Sequence, residues 1–317
     1  MRTVLAADLG ATNLRAALIG EGGDVLELRR SSTPRQGVVD AIVRLVEDMA
    51  DRASSMGLAS VGPMDIRRGV LLIPPNLKER GEIEVVRRLS DRLGIDVVLL
   101  NDAVAGAIGE WTYGAGKGLR DVVYLTFSTG LGAGVIIDGR PLLGRRGNAH
   151  EAGHLVVDYR GRIRCGCGGI GHWEAYCSGS GLPKLASLVA QEHPELRGHL
   201  GRAIESGASP DAPSIFRAAR EGDPLALEVV REFSAITAAG IASVASVYDP
   251  ELVILGGPVY LQNRDLLDGL LGEYLPEYSL DGPPALAPAA LGDLSPLMGA
   301  AAAALSPALA GSVAQTQ

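Results

Sequence analysis

The sequence predicts an α/β protein made of two similar halves, and three observations carry that reading. At 317 residues, 47 % of them hydrophobic, the chain exceeds what one hydrophobic core ordinarily holds. Apolar, strand-like runs alternate with segments of helical period. A strand, a Gly-rich turn and a second strand at 3–20 recur at 121–139, so that DLG (8–10) falls on STG (128–130). The repeat is one of pattern rather than of residues.

Taken in order, TVLAADLG (3–10) is an apolar run closed by glycine, the mark of a buried strand and a turn. TNLRAALIG (12–20) and DVLELRRSS (24–32) continue it as a meander. Residues 38–56 repeat apolar positions every three or four residues, which predicts a helix. LASVG (58–62) is a short strand, and the loop after it is punctuated by Pro63, Pro74 and Pro75. IEVVRRLSDRLG (83–94) is helical, DVVLLND (96–102) is a strand ending in two polar residues, and AVAGAIGEWTYG (103–114) is a helix. After the hairpin at 121–139, helices are expected around 181–190, 212–220, 223–247, 260–275 and 296–305, with a strand at ELVILGG (251–257). No linker rich in Ser, Pro or charge separates the halves, so the boundary is placed near 103–116.

The net charge is −8 and 21 % of residues are charged, which fits neither a disordered chain nor an electrostatic footprint for nucleic acid. GAAAAALSPALAG (299–311) is too short, and too interrupted by Pro307, to cross a membrane. MRTVLAADLG reaches Asp8 too early for a signal-peptide core. The expectation is a cytoplasmic protein with no nucleic-acid or membrane partner. Three clustered cysteines in such a chain do not suit a disulfide framework.

Candidate chemistry begins at ADLGATN (7–13). Gly10 permits a tight turn that brings backbone N–H groups to an anion, Thr12 and Asn13 add donors, and Asp8 at the strand end suits a hydrated Mg²⁺. TFSTGLGAGV (126–135) supplies Ser128, Thr129, Gly130 and Gly132 in the same setting. Either turn alone is a plain glycine hairpin; two together point to a nucleotide phosphate gripped from both sides. Gly256 and Gly257 end the strand at 251–257 and either border an adenine pocket or begin a helix. LLND (99–102) leaves two readings open: Asp102 as general base for a substrate hydroxyl, or Asn101 or Asp102 as the cap of the next helix. Asn76, after two prolines, either meets a sugar hydroxyl or is a structural turn residue.

All three cysteines lie in EAGHLVVDYRGRIRCGCGGIGHWEAYCSG (151–179). Cys165, Cys167 and His172 form C-x-C-x₄-H, with His154 eleven residues before Cys165. Thiolates and imidazoles in a compact Gly-rich loop suit tetrahedral Zn²⁺, with Cys177 a substitute ligand. Ordinary reduced cysteines are the alternative, and C-x-C spacing is poor for a redox pair. Glu151 and Glu174 flank the cluster as glycosidase carboxylates or as acceptors for hydroxyls; the phosphate turns favour the second.

On these residues the chain resembles the ROK family of sugar kinases and repressors, in the actin- and hexokinase-like ATPase superfamily, over nearly its whole length. DLGATN is similar to the family's DxGGT turn, LLND to its strand ending in Asn-Asp, EAGH to ExGH, and CGCGGIGHWEAYCSG to CxCGxxGCxExxxSG. The resemblance implies two RNase H-like domains with a cleft between them. Residues 1–112 would be completed by the C-terminal helix near 296–310, and 113–295 would carry the zinc loop. ATP and Mg²⁺ would meet Asp8, Gly10, Ala11, Thr12, Asn13, Ser128, Thr129, Gly130, Gly132, Gly256 and Gly257. A hexose would meet Gly62, Asn76, Asn101, Asp102, Glu151, His154 and Glu174, with Asp102 the catalytic base. His154, Cys165, Cys167 and His172 would hold Zn²⁺. Two positions depart from the pattern: Ala11 replaces a glycine, and His172 replaces a cysteine. No room for a helix-turn-helix precedes Asp8, which disfavours the repressor branch. The resemblance thus implies a homo-oligomeric, ATP-dependent hexose kinase acting on the 6-hydroxyl, with glucose the leading substrate. Kinases for N-acetylmannosamine and sugar-responsive regulators are the alternatives.

Overall fold

Apolar runs with glycine stops fold as expected in the computed structural model of the chain, which describes residues 2–72, 81–145, 147, 149–196 and 198–311. β1 (Thr3–Leu9) pairs antiparallel with β2 (Asn13–Gly20), and β2 pairs with β3 (Val25–Ser32). α1 (Val38–Val46) buries Val39, Ile42, Val43 and Val46 on one face, the i, i+3, i+4 spacing of its sequence. β4 (Ser55–Ser60) runs parallel to β1. A small hairpin, β5 (Met64–Asp65) and β6 (Val70–Leu71), follows it. α2 (Val85–Leu93) stops at Gly94, whose φ of 69° is a left-handed cap. β7 (Asp96–Asn101) lies parallel to β4 and feeds α3 (Asp102–Tyr113). The sheet order is β3-β2-β1-β4-β7.

The helix expected over 38–56 is shorter than its period suggests. It gives way to a 3₁₀ turn at Glu47–Arg52, and the strand expected at 58–62 already begins at Ser55. The reason is pairing: Met56 sits opposite both Leu5 and Val97, so its backbone groups have partners in two parallel ladders. That demand outweighs the local helical period, while Met49 still reaches the core from the 3₁₀ turn.

The pattern restarts with β8 (Val122–Phe127), β9 (Leu131–Ile137) and β10 (Arg140–Pro141). Five helices come next: α4 (Glu174–Cys177), α5 (Leu182–Glu192), α6 (His199–Glu205), α7 (Ala212–Arg220) and α8 (Pro224–Tyr248). Asp211 and Asp223 cap α7 and α8 through their carboxylates, with proline in the first turn of each helix. β11 (Leu252–Gly256), α9 (Pro258–Leu261), α10 (Arg264–Tyr278), β12 (Leu286–Pro288) and α11 (Ser295–Leu305) complete the order. The second sheet runs β10-β9-β8-β11-β12. In order of appearance this is the arrangement of the first sheet, so the repeat seen in one hairpin extends to five strands. Among the described residues no helix is long and apolar enough to cross a membrane.

Two compact units result. One comprises Met1–Tyr124, Gly134–His150 and Ala289–Gln317; the other comprises Leu125–Ala133 and Glu151–Pro288. In the first, α11 packs on α3, β1 and β4. The approach is backbone to backbone: a β-carbon on Gly299 would collide with the carbonyl of Ala105, and one on Gly57 with that of Ala300. Glu110, fully buried on α3, fixes the segment ahead of α11. Its carboxylate accepts from the N–H groups of Ala115 (3.0 Å), Ala290 (3.0 Å) and Leu291 (2.9 Å) and from the Ser295 hydroxyl (2.7 Å). In the second unit Phe127 meets Trp173 edge-on at 5.9 Å, and Phe216 meets Phe233 likewise at 6.0 Å.

Candidate active site

The first unit carries the turn between β1 and β2. Gly10 N–H donates to the Asn13 carbonyl at 2.9 Å. From the end of β3, Thr33 bonds the Gly10 carbonyl through its hydroxyl and the Thr12 carbonyl through its N–H, each at 2.8 Å. Ala11, Thr12 and Asn13 are exposed, and Ala11 does not take a positive φ, so its methyl group is accommodated without strain. Asp8 lies directly opposite Arg15 in the ladder, 3.6 Å from its guanidinium. Burial, and after it the charge of Asp102, pushes the Asp8 carboxyl up to about 7, with Arg15 opposing and Asp293 adding.

Of the two cap candidates at LLND, geometry selects Asn101. Asn101 is the cap of α3: its side-chain oxygen accepts from Ala103 (2.9 Å) and Val104 (3.3 Å). Asp102 is the first helical residue, and its Oδ1 also takes the Ala103 N–H at 2.9 Å. Gly62 follows β4, half-buried, with a cis bond to Pro63. Asn76 lies outside the described residues.

In the second unit the turn Ser128–Gly130 joins β8 to β9, closed by Ser128 N–H to the Gly130 carbonyl at 2.9 Å. Gly132 is inside β9. Gly257 has φ 82° and touches the Phe127 backbone where a β-carbon would collide, which draws the end of β11 against the end of β8. Gly256 ends β11 and Gly257 is the residue before α9, so a helix begins at LGG, and its Pro258 and Val259 wall a cavity. That cavity has a volume of about 470 Å³ and runs from Ser128 and Thr129 to Pro213, Phe216 and Arg220. The Arg220 guanidinium is held by Asp265 (2.8 and 2.7 Å), by the Asn263 side-chain oxygen (2.9 Å) and by the Gln262 carbonyl (3.0 Å). Sequence reasoning singled out Ser128 and Thr129 but missed the other residues of this cavity wall. Their one local signal was the Ser-Gly pair Ser178–Gly179 at the end of the Cys-rich motif, next to Ser180 on the cavity wall.

The loop 151–179 gathers His154, Cys165, Cys167 and His172, with one ligand atom from each within 4.8 Å of the others. Cys167 Sγ is 3.3 Å from His172 Nδ1 and 3.9 Å from His154 Nδ1. Two sulfurs and two imidazole nitrogens at this spacing fit a four-coordinate Zn²⁺. Cys177 is elsewhere: α4 turns it inward, its thiol reaches the Phe233 carbonyl at 3.5 Å, and burial pushes it up to about 12. The other side of the His154 ring faces Glu151, Nε2 to Oε2 at 3.6 Å. Glu174 Oε2 accepts the Leu131 N–H at 3.0 Å, and its Oε1 takes the Cys165 thiol at 3.6 Å. Beneath the cluster, Asp158 ties the loop to the core by accepting the Tyr176 hydroxyl (2.6 Å), while that hydroxyl accepts the Ile163 N–H (2.9 Å).

A doubled sheet of this order, with a Gly-rich turn after the first strand of each half, defines the class: an actin-like ATPase fold. The chain matches the ROK family over residues 4–306 and belongs to it. It is 40 % identical over 290 residues to a glucokinase of Aeropyrum pernix, covering 88 % of this chain and 89 % of that protein. Among solved structures it is similar to a ROK family glucokinase from Streptomyces griseus in complex with glucose and AMPPNP, at 33 % identity and a TM-score of 0.76, covering 96 % of this chain and 99 % of that one. A ROK hexokinase from Thermus thermophilus is similar at 32 % identity and a TM-score of 0.80, with the same coverage.

Proposed function

We propose that the chain is an ATP-dependent hexose kinase that transfers the γ-phosphoryl group of ATP to the 6-hydroxyl of glucose. The observation that carries this reading is the cavity that opens from the Ser128–Thr129 turn, in a chain so similar to a glucokinase that was solved with glucose and AMPPNP. The turn takes the phosphates and the cavity takes the nucleoside. Gly256 and Gly257 let the strand end approach it closely, and Gly10, Ala11, Thr12 and Asn13 present the second set of phosphate donors.

Asp102 accepts the proton of the 6-hydroxyl as that oxygen attacks phosphorus. Asn101, occupied as a helix cap, fixes the backbone from which Asp102 projects and offers its amide N–H₂ to the sugar. Glu151, His154 and Glu174 accept or donate to ring hydroxyls, joined by Gly62 and, on the family resemblance alone, Asn76. Bound Mg²⁺ supplies neutralising charge at the transferring phosphoryl group, and Asp8 is the carboxylate that holds it. Zn²⁺ bound by His154, Cys165, Cys167 and His172 supplies order to a Gly-rich loop. A homo-oligomer and a cytoplasmic location belong to the same reading.

A panel of hexoses with ATP and Mg²⁺, read as ADP release, tests it. Release that depends on glucose is expected. Equal release without any sugar would replace the kinase with an ATPase, and preferred turnover of N-acetylmannosamine would move the substrate.

A further inference from the structure

α4 is a single turn, yet both of its ends hold the loop between β8 and β9. At its C-terminal side, Gly179 N–H donates to the Ser128 carbonyl at 2.7 Å and Ser180 N–H to the Thr129 carbonyl at 3.1 Å. At its N-terminal side, Glu174 accepts the N–H of Leu131, a residue only 5 % exposed. Gly130 leaves room for this contact: a β-carbon there would lie 2.5 Å from Glu174 Oε2. Ser178 closes the turn, its hydroxyl donating to the Glu174 carbonyl at 2.7 Å and accepting the Gly181 N–H at 3.0 Å.

We propose that Glu174 is a positioning residue for the nucleotide-phosphate turn, a strut that joins that turn to the Cys/His loop, in addition to its sugar contact. The inference rests on reading Ser128–Gly130 as the phosphate turn. A carboxylate has about four acceptor positions, so the bond to Leu131 leaves capacity for a hydroxyl. Without the carboxylate, the buried Leu131 N–H loses its acceptor, and the turn loses the bond that fixes its exit into β9. The N–H groups that meet phosphate are then no longer held in place before the nucleotide arrives.

The decisive measurement is AMPPNP affinity by calorimetry with no sugar present, where a contact to sugar alone has no influence. Glu174→Ala and Glu174→Asp, which lack the reach, should bind AMPPNP about tenfold more weakly, the usual consequence of losing one charge-assisted hydrogen bond. Glu174→Gln keeps an oxygen acceptor for Leu131 and should stay within about twofold of the parent. Glu174→Asp also covers the case in which the alanine variant does not fold. Sugar-free AMPPNP affinity unchanged in both shortened variants would overturn the strut. If the parent itself does not bind AMPPNP, the kinase reading fails first. Amide exchange at Leu131 then decides the strut by itself: faster exchange in Glu174→Asp supports it, and unchanged exchange refutes it.

Discussion

Replacing Asp8 by asparagine should stabilise the protein and disable it at once. Asp8 is 8 % exposed, and its carboxyl is raised from the ordinary 3.8 to about 7, first by burial and then by the charge of Asp102. A folded-state pKa above the unfolded one means that the native state binds this proton more tightly. Stability is therefore full below about pH 4 and is lost as pH rises toward 7. A shift of roughly three units corresponds to ~4 kcal/mol at about 1.4 kcal/mol per unit. Asparagine has the same shape and no charge, so it escapes the loss. Against this, Arg15 gives up its 3.6 Å partner, but it keeps Asp293 at 3.0 Å, so the penalty is about 0.5 kcal/mol. The net expectation above pH 7.5 is that Asp8→Asn is more stable by about 3.5 kcal/mol. Urea unfolding of both proteins in chelator, from pH 4.5 to 8.5, gives the comparison. The difference should grow by about 1.4 kcal/mol per pH unit between about 5 and 6.5 and then level off. Parallel profiles, or a parent protein more stable at pH 8, would refute the reasoning. Turnover of the variant should fall in the same samples, because the carboxylate proposed to hold Mg²⁺ is gone.

Three further outcomes are expected. Asp102→Asn should lower turnover by ~10²–10⁴-fold while glucose binding by calorimetry stays nearly unchanged; near-normal turnover would take the base role from Asp102. His172→Ala should lose zinc by elemental analysis and weaken glucose binding, whereas Cys177→Ala should do neither; the reverse pattern would move the fourth ligand to Cys177. Glu110→Ala should cost ~2–3 kcal/mol in urea unfolding, since it leaves three part-buried N–H groups without their acceptor, while the Ser295 hydroxyl keeps the Gly292 carbonyl; a loss below about 1 kcal/mol would show that water replaces the carboxylate.

Much of this was legible because it is written in residue types that do one thing. An apolar run closed by glycine can hardly be other than a strand and a turn, so β1, β2, β8 and β9 stand where the sequence puts them. Cysteine, histidine and glycine crowded together announced the cluster at 154–172. The choice between Asn101 and Asp102 as helix cap was not legible, because both types cap well. Only the observed reach of Asn101 to Val104 decides it. Cys177 stood as a substitute for His172 until α4 was seen to start at Glu174 and turn Cys177 toward Phe233. The rest of the cavity wall was invisible because Pro213, Phe216 and Val259 are brought to Ser128 and Thr129 by packing alone. Glu110 read as an ordinary helix residue, since nothing local marks a carboxylate most of whose partners lie 180 or more residues on.

The position of α11 sets an order of events during synthesis. Its slot on α3, β1 and β4 is formed by the earliest part of the chain, yet the helix is translated after β11 and β12. A nascent chain that has reached residue 290 can have its second sheet paired, while the first still lacks the layer that covers β1 and β4 and the segment that satisfies Glu110. The half translated first is thus the half finished last. It is also the half that carries Asp8 at the end of β1 and Asp102 at the start of α3, so a ribosome-bound or truncated chain holds these two carboxylates beside an uncovered sheet, exposed to chaperones and proteases.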